Sequence, residues 1–236
     1  MDRPRLAFLD ASHGSPHAAR NFRRELDADL AEFDVTCCET PTDLAYDGFV
    51  VSGSRSSVYE RQAWQDPLRE WVHDAVDAGL PGLGVCWGHQ FLADALGGTV
   101  EGMGEYEIGY REVEREAESP LLDGVDDSFT VFTTHSDAVT ELPPGAELLA
   151  SNEYGVHGFR KDRVFGVQFH PEYDPETARY VTRGKDDQLS EARIESVLDG
   201  VTPANYEAAC EAKQLFANFT DFVRETRAER RGRVPA

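Results

Sequence analysis

The sequence predicts an α/β protein in which helices cover both faces of a mostly parallel central sheet, a three-layer α/β/α arrangement. In the first hundred residues, short apolar runs alternate with segments of helical periodicity, a pattern typical of parallel sheets. Residues 99–170 are rich in strand signals, and helical periodicity returns after residue 175. The chain has 236 residues, of which 40% are hydrophobic, enough to bury a core of this kind.

Apolar spacing and capping residues predict the elements of the first half. A short apolar run that ends at Asp10 predicts the first strand, and further strands are expected at residues 34–39, 48–51 and 81–85. In the second helix, Asp66 suits the cap, Pro67 the first turn and Gly79 the end. A third helix is expected at residues 88–96. The first helix is predicted from apolar residues at helical spacing, namely Phe22, Leu26, Leu30 and Phe33.

The second half is predicted to add a block of strands and then extra C-terminal helices. Ser190 is suited to cap a helix that carries Ile194, Val197 and Leu198. A last amphipathic helix is expected from Ala204 to about residue 227. The strand-like runs before these helices cover residues 108–113, 129–134, 147–150, 157–160 and 164–169.

The charge of the chain is strongly negative. There are 44 acidic residues against 23 basic ones, which gives a formal net charge of -21. Such a field repels nucleic acid and anionic membranes, so neither is expected as a partner. Two interpretations compete: a binding face for a cationic partner, or a solvated acidic shell as in proteins that work in concentrated salt. Because the acidic residues are dispersed along the chain, we favour the second and predict a halophilic source.

The four cysteines, Cys37, Cys38, Cys86 and Cys210, are expected to be free thiols. Their spacing matches no zinc-binding pattern, and the sequence predicts neither a metal nor a cofactor. The N-terminus lacks the features of a signal peptide. No apolar run approaches the roughly 18 residues typical of a membrane span. These observations predict a reduced, cytoplasmic protein.

A cysteine at a predicted strand-to-helix turn is the strongest chemical signal. Glycines two positions before and after Cys86 relieve crowding in a sharp turn, as in the serine elbow G-x-S-x-G. The turn lifts the sulfur to the sheet edge and places it at a helix N-terminus, where the dipole favours thiolate. The motif reads Gly84-Val85-Cys86-Trp87-Gly88-His89-Gln90.

A candidate general base follows a later strand. His170 comes directly after the apolar run 164–169, and Pro171 fixes the backbone next to it. Glu172 is placed to accept a hydrogen bond from the second ring nitrogen of His170 and so to set its tautomer. A cysteine nucleophile needs such a base, so Cys86, His170 and Glu172 are predicted to form a catalytic triad.

The two motifs together resemble those of the class I glutamine amidotransferases, which carry G-x-C-x-G-H-Q and, further along, H-P-E. Two further segments, Thr134-His135-Ser136-Asp137 and Val51-Ser52-Gly53-Ser54, are similar to the family's S-H-x-D motif and its glycine-rich loop. Among subfamilies, the motifs look most like the amidotransferase part of GMP synthase and its stand-alone relatives. The resemblance implies a flavodoxin-like fold. It predicts a single domain over 1–236, with a catalytic core at about 5–175, a helical extension at about 176–227 and a basic tail at 228–236.

The resemblance also implies roles for individual residues. Cys86 would be the nucleophile, His170 the acid–base and Glu172 its orienting acid. The backbone N–H groups of Gly53 and Trp87 would form the oxyanion hole. Two further side chains, Gln90 and His135, would help line the pocket for glutamine or a γ-glutamyl compound.

Three further side chains are left between a structural and a pocket role. His89, next to Gln90, is favoured as a structural histidine. Tyr59 and Tyr173 are candidates for pocket walls.

Three hypotheses for the function remain open. An amidotransferase would pass ammonia to a synthetase on another chain, because the sequence has no P-loop for ATP. A free-standing hydrolase would cleave γ-glutamyl amides or peptides by the same chemistry. A non-enzymatic binding or regulatory protein on this fold is disfavoured, since all three triad residues are present. The segment from about residue 173 to 202 exceeds what a minimal amidotransferase needs and has no predicted role.

Overall fold

A computed structural model describes the backbone of residues 3–232 and the side chains of residues 3–230. Within these residues, nine strands form one mixed sheet in the order β2-β1-β3-β4-β9-β8-β7-β5-β6. The strands are β1 Arg5–Asp10, β2 Asp29–Asp34, β3 Gly48–Val51, β4 Gly82–Val85, β5 Thr99–Arg115, β6 Ser128–Glu141, β7 Glu147–Asn152, β8 Gly155–Lys161 and β9 Val164–Val167.

The sheet has a parallel half and an antiparallel half. Strands β1–β4 and β9 pair in parallel, and strands β3, β4 and β9 are buried over their whole length. The block of strands β5–β8 joins antiparallel, through β8 against β9. The predicted α/β class is confirmed, and the strand-rich middle of the sequence accounts for the antiparallel half.

Helices cover both faces of the sheet. Alternate residues of β1 enter different cores: Phe8 packs in one cluster with Phe22 and Phe219, and Leu9 in another with Trp71. This alternation is the two-residue period of a strand buried on both sides. Within residues 3–232, none of the helices combines the length and apolar character needed to cross a bilayer. The helices are α1 Ala18–Glu25, α2 Gln65–Asp77, α3 Trp87–Ala95, α4 Pro175–Arg183, α5 Glu191–Asp199, α6 Pro203–Ala209 and α7 Gln214–Gly232.

The prediction for the second strand was wrong by five residues. Helix α1 ends at Glu25, so Leu30 and Phe33 lie on β2 rather than on a helix. The expected strand at residues 34–39 is a turn, because the Asp34 side chain accepts hydrogen bonds from the backbone N–H groups of Thr36 and Cys37. Asp34 thereby ends the strand that was expected to begin there.

The C-terminal extension differs from the prediction in detail. Ser190 caps α5 as expected, by accepting a bond from the Arg193 N–H. The single last helix expected from residue 204 is two helices, separated by a 3₁₀ turn over Glu211–Lys213. Helix α7 continues to Gly232 and so includes the first part of the predicted basic tail; residues 233–236 of that tail lie outside the described residues. In α2, Asp66 lies inside the first turn instead of at the cap.

Candidate active site

A cleft opens at the carboxyl ends of the central parallel strands, the edge where α/β sheets generally bind ligands. The loops after β1, β3, β4 and β9 and the helix α4 all contribute to it. All three predicted triad residues line this cleft, and so does Gly53. The described lining residues are Ser12, Ser15, His17, Ala18, Phe22, Ser52, Gly53, Ser54, Arg55, Cys86, Thr134, His170, Glu172, Tyr173, Thr177, Tyr180, Val181, Gly184 and Lys185.

Cys86 sits in the sharp turn between β4 and α3. Its backbone has φ 54° and ψ −108°, a conformation that costs energy for any residue other than glycine. The flanking glycines make the turn possible: a Cβ on Gly84 would lie 2.4 Å from the Gly88 carbonyl oxygen, and one on Gly88 would lie 2.2 Å from the Val51 oxygen. The predicted need for glycine on both sides therefore has a steric cause.

The thiol of Cys86 is largely enclosed but faces the cleft. The residue is 6% exposed, and its Sγ lies 3.8 Å from the Thr134 carbonyl oxygen. The backbone N–H of Cys86 donates to the Val167 oxygen over 2.8 Å, which fixes the turn against β9. Because α3 begins at the next residue, the sulfur lies at the N-terminal end of that helix, where backbone N–H groups have no partner within the helix.

His170 is held between Glu172 and Cys86. Its Nδ1 lies 2.7 Å from Glu172 Oε1, and both side chains are buried. Burial by itself would lower the pKa of His170, but the negative charges of Glu172 and Cys86 outweigh it and raise the pKa to about 10. Tyr173 stacks on the imidazole, with ring centroids 4.0 Å apart. The protonated form of His170 is therefore favoured, and the ring is oriented by Glu172 and packed by Tyr173.

The backbone around His170 is fixed from two sides. The His170 N–H donates to the Phe132 carbonyl oxygen at 2.8 Å, which ties it to β6. The carbonyl oxygen of Glu172 accepts a bond from Arg24 Nη2 at 2.5 Å, which ties it to α1. These bonds hold His170 and Glu172 in place without using the ring atoms that face the sulfur.

Gly53 lies directly against His170. A Cβ at this position would be 2.9 Å from His170 Cε1 and 3.7 Å from Cys86 Cβ, so only glycine allows the close approach. Ser52 anchors the loop, since its Oγ accepts a bond from the Ala11 N–H at 2.9 Å. Among the described residues the Gly53 N–H has no acceptor. Trp87 is the first residue of α3, where backbone N–H groups have no partner within the helix.

Gln90 and His135 lie behind the cleft, and neither is among the described residues that line it. Gln90 Nε2 donates to the Asp137 carbonyl oxygen at 2.8 Å and to Gln168 Oε1 at 2.9 Å. His135 Nδ1 lies 2.9 Å from the same Asp137 oxygen. Both side chains thus support the backbone of the segment that contains Thr134, whose carbonyl oxygen contacts the sulfur.

Behind this segment lies a buried cluster of three residues that the sequence did not predict as a group. Glu107 Oε2 lies 2.6 Å from His135 Nε2 and 3.1 Å from His157 Nε2, and all three residues are buried. These residue types can bind a metal, but ligands on a tetrahedral zinc ion stand about 3.3 Å apart. The shorter spacing is that of a hydrogen-bonded network. Hydrogen bonds from both histidines outweigh burial and hold the pKa of Glu107 well below its usual range.

Both ring nitrogens of His135 face oxygen acceptors, a carbonyl at Nδ1 and the Glu107 carboxylate at Nε2. A carbonyl oxygen accepts only, so Nδ1 carries a proton. The cluster is therefore a buried hydrogen-bonded network that fixes the position of the Asp137 backbone. His89, which is fully buried, has its pKa lowered to about 3 by burial, which agrees with a structural role.

The outer wall of the cleft is made by helix α4 and was not predicted. Asp174 caps this helix and pairs with Arg20 at 2.7 Å and Arg24 at 2.8 Å, both on α1. Tyr180 on α4 packs on His17 with ring centroids 4.6 Å apart. The Pro175 start and the Asp174 cap were readable as a helix signal, but no local pattern indicates which way the helix folds. Of the two tyrosines, Tyr173 lines the cleft, and the hydroxyl of Tyr59 instead donates to Asp137 Oδ1.

The sequence of the chain is similar to a known family and to known proteins. The model of the glutamine amidotransferase class-I family matches residues 11–183. A GMP synthase (glutamine-hydrolyzing) from Thermomicrobium roseum is 38% identical over 172 residues, covering 71% of this chain and 31% of that protein. One from Aromatoleum aromaticum is 34% identical over 185 residues, covering 73% and 34%. The chain therefore spans about a third of the length of these relatives.

Solved structures show the same fold. A glutamine amidotransferase from Thermotoga maritima superposes with a TM-score of 0.80 at 21% identity, covering 94% of this chain and all of that one. A putative GMP synthase subunit from Thermoplasma acidophilum superposes with a TM-score of 0.70 at 20% identity, covering 98% of this chain and 99% of that one. Together with the family match over residues 11–183, these findings show that the chain belongs to the class I glutamine amidotransferase family.

Proposed function

We propose that the protein hydrolyses the side-chain amide of glutamine through a γ-glutamyl thioester on Cys86, giving glutamate and ammonia. The observation that carries this proposal is the position of Cys86, in a strained turn at the start of α3 and in the same cleft as a His170 held by Glu172 at 2.7 Å. The GMP synthase relatives, named as glutamine-hydrolyzing, support the same substrate.

In the first half of the reaction, the Cys86 thiolate attacks the amide carbon of glutamine and a tetrahedral oxyanion forms. The backbone N–H groups of Gly53 and Trp87 are proposed to bind that oxyanion, and loss of one such donor typically costs about 10²–10³ in rate. The His170 imidazolium then gives its Nε2 proton to the leaving nitrogen. The carbon–nitrogen bond breaks, ammonia departs and the γ-glutamyl thioester remains.

In the second half, the now neutral His170 accepts a proton from a water molecule that attacks the thioester. The carbon–sulfur bond breaks, glutamate leaves, and the proton returns the Cys86–His170 pair to its charged state. Glu172 stabilises the imidazolium in each half without taking the proton itself. Gln90 and His135 are proposed to act on the substrate indirectly, by holding the Thr134–Asp137 backbone that forms the wall behind the sulfur.

Two fates are open to the released nitrogen. As a GMP synthase-like amidotransferase, the protein would supply ammonia to a synthetase, as the names of its relatives suggest. The second candidate is a free-standing γ-glutamyl hydrolase. Helix α4 favours it, because this helix belongs to the chain itself and closes one side of the cleft. For either role we propose a cytoplasmic protein of a halophilic source, on the basis of the charge of -21.

The test is the release of glutamate and ammonia from glutamine by the purified chain, alone and with candidate synthetases. Turnover that begins only when a synthetase is added supports the amidotransferase role, and turnover of γ-glutamyl peptides by the chain alone supports the hydrolase. Cys86→Ala should abolish both activities and keep the fold. Cys210→Ala is the matched control, because Cys210 lies at the end of α6 and outside the cleft. Wild-type rates in Cys86→Ala would exclude the proposed chemistry.

A further inference from the structure

The charge inside the Cys86 cleft is opposite to that of the whole molecule. The chain has a net charge of -21, yet its cleft is lined by two cationic side chains, Arg55 and Lys185. Among the described lining residues the only carboxylate is Glu172, which His170 engages at 2.7 Å. The cleft therefore holds an excess of positive charge within a strongly acidic protein.

Neither cation is neutralised by a neighbour. Within the part of the chain that the structure describes, no carboxylate lies within ion-pair distance of Arg55 or Lys185. By contrast, Arg20, Arg24 and Arg69 pair with carboxylates at 2.7, 2.8 and 2.6 Å. Several other described cations without an ion pair donate instead to backbone carbonyl oxygens, as Arg111, Arg179 and Lys161 do. Arg55 and Lys185 have no such acceptor among the described residues, and two such cations in one cleft suit an anionic ligand.

Neighbouring residues connect both cations to the surroundings of His170. Arg55 lies two residues after Gly53, and a Cβ on Gly53 would be 2.9 Å from His170 Cε1. Lys185 Nζ lies 5.1 Å from the centroid of the Tyr106 ring. Tyr106 and Tyr173 pack against the same apolar cluster, and Tyr173 stacks on His170 with ring centroids 4.0 Å apart.

The chemistry of the reaction indicates which part of a substrate would reach these two cations. His170 donates its proton to the leaving nitrogen, so any substituent on that nitrogen extends past His170 toward its neighbours. For glutamine the substituent is hydrogen only. We infer that Arg55 and Lys185 bind a carboxylate carried by the leaving amine, and that the substrate class is a γ-glutamyl amino acid. This inference rests on the proposed cysteine chemistry, and it names the substrate of the γ-glutamyl hydrolase, the second candidate function.

In that reaction, the bond between the γ-carbonyl carbon and the amino nitrogen breaks, the nitrogen takes the proton of His170, and the amino acid leaves. Water then hydrolyses the thioester to glutamate, so no further co-reactant is needed. Lys185 comes directly after α4, within the segment of about residues 173–202 for which the sequence predicted no role. A substrate-binding lysine gives that segment a function.

The test compares two substrates that differ only in the leaving amine, γ-glutamyl-glycine and γ-glutamyl methylamide. Both carry the same α-carboxylate, so their ratio of kcat/KM reports the second carboxylate alone. In the wild-type protein we expect a ratio at least about tenfold in favour of γ-glutamyl-glycine, since a hydrogen bond to a charged group is worth at least that factor. Lys185→Met and Arg55→Met should each reduce this ratio about tenfold.

Lys161→Met is the matched control, because it removes the same charge at a site where the ammonium binds the Leu96 and Pro144 carbonyl oxygens. This variant should keep the wild-type ratio. An equal ratio in the wild type and in all three variants would overturn the inference, and would do so without affecting the proposed function if both substrates are hydrolysed.

A second readout needs no turnover. Iodoacetate and iodoacetamide alkylate the same thiolate and differ in charge, so their rate ratio at Cys86 reports the local field. Mass spectrometry of the Cys86 peptide excludes signal from exposed Cys37 and Cys38. We expect Lys185→Met to lower the iodoacetate-to-iodoacetamide ratio and Lys161→Met to leave it unchanged. A Lys185-dependent ratio in a protein that releases no glutamate, either alone or with a synthetase, would keep the anion site and refute the proposed function. A ratio that ignores Lys185 would refute the anion site.

Discussion

Replacing Glu172 by glutamine tests the origin of the charge on His170. The change keeps the size of the side chain and a hydrogen-bonding oxygen, but it removes the negative charge 2.7 Å from Nδ1. Burial lowers the pKa of His170, and the charges of Glu172 and Cys86 raise it to about 10. Without Glu172 the burial effect has only Cys86 to oppose it, so the pKa of His170 must fall.

The size of the effect follows from the contact. A neighbouring opposite charge shifts a pKa by about 1–3 pH units, and we take a fall of about 2. At pH 9, a pKa near 10 leaves about nine tenths of His170 protonated, whereas a pKa near 8 leaves about one tenth. Since the protonated ring must deliver a proton to the leaving nitrogen, kcat/KM at pH 9 should fall about tenfold from protonation alone. Loss of orientation adds to this.

The stability of the fold should change in the same direction. The pKa of His170 is higher in the folded protein than its ordinary value of 6.5, so its contribution is complete below about pH 6.5 and is lost as the pH rises through about 10. Glu172→Gln should move the upper end of this window down by about 2 pH units. Thermal unfolding between pH 6 and pH 10 measures the shift.

The assay is glutamate release from pH 6 to pH 10.5, reported as the ratio of variant to wild type so that ionisation of the substrate cancels. Glu176→Gln is the matched control, because Glu176 pairs with Arg20 on the exposed side of α4 and does not line the cleft. An alkaline limb at the same pH in Glu172→Gln and wild type would refute the assignment of Glu172 as the residue that charges His170.

Three further predictions concern the glycines and the charge. Gly53→Ala should lower kcat strongly with little loss of thermal stability, because its Cβ would meet His170 Cε1 at 2.9 Å; Gly102→Ala, whose Cβ meets nothing closer than 3.5 Å, should be active. Gly84→Ala should destabilise the fold by more than about 2 kcal/mol in denaturant titration, because its Cβ would lie 2.4 Å from backbone that cannot yield. Raising KCl from about 0.1 to 2 M should raise the unfolding midpoint by about 5 °C or more, since screening weakens the repulsion among acidic residues; a flat or falling midpoint would contradict the halophilic interpretation.

The parts of this structure that the sequence predicted are those governed by local rules. The turn at Cys86 was recognisable because the motif has glycine at positions 84 and 88. Crowding of Gly84 against Gly88, and of Gly88 against Val51, excludes every other residue type at these two positions. The parallel strands were recognisable from their continuous apolar runs. The second strand was misplaced because Leu30 and Phe33 satisfy helical spacing, although the chain is extended there and pairs with β1. Long-range strand pairing overrode the local pattern.

The candidate site was predictable to the extent that it depends on motif residues. Glu107 gave no signal, because a carboxylate in a strand is ordinarily exposed, and its two histidine partners come from β6 and β8. Helix α4 was recognisable as a helix, but its place over the cleft depends on ion pairs with α1, about 150 residues earlier in the chain. No periodicity within one segment can indicate such a contact.

The position of the two cleft cations has a consequence for substrate choice. Glutamine at neutral pH carries no net charge, so the overall field of the protein neither attracts nor repels it. A γ-glutamyl amino acid carries one additional negative charge, and a molecule with net charge -21 repels it at long range. Arg55 and Lys185 in the cleft would offset that repulsion when the substrate is in contact with them. Screening by salt removes the long-range repulsion and weakens the short contacts far less. The acidic surface and the cationic cleft are therefore compatible with one another in concentrated salt, where the cleft can select the anionic substrate that the surface no longer excludes.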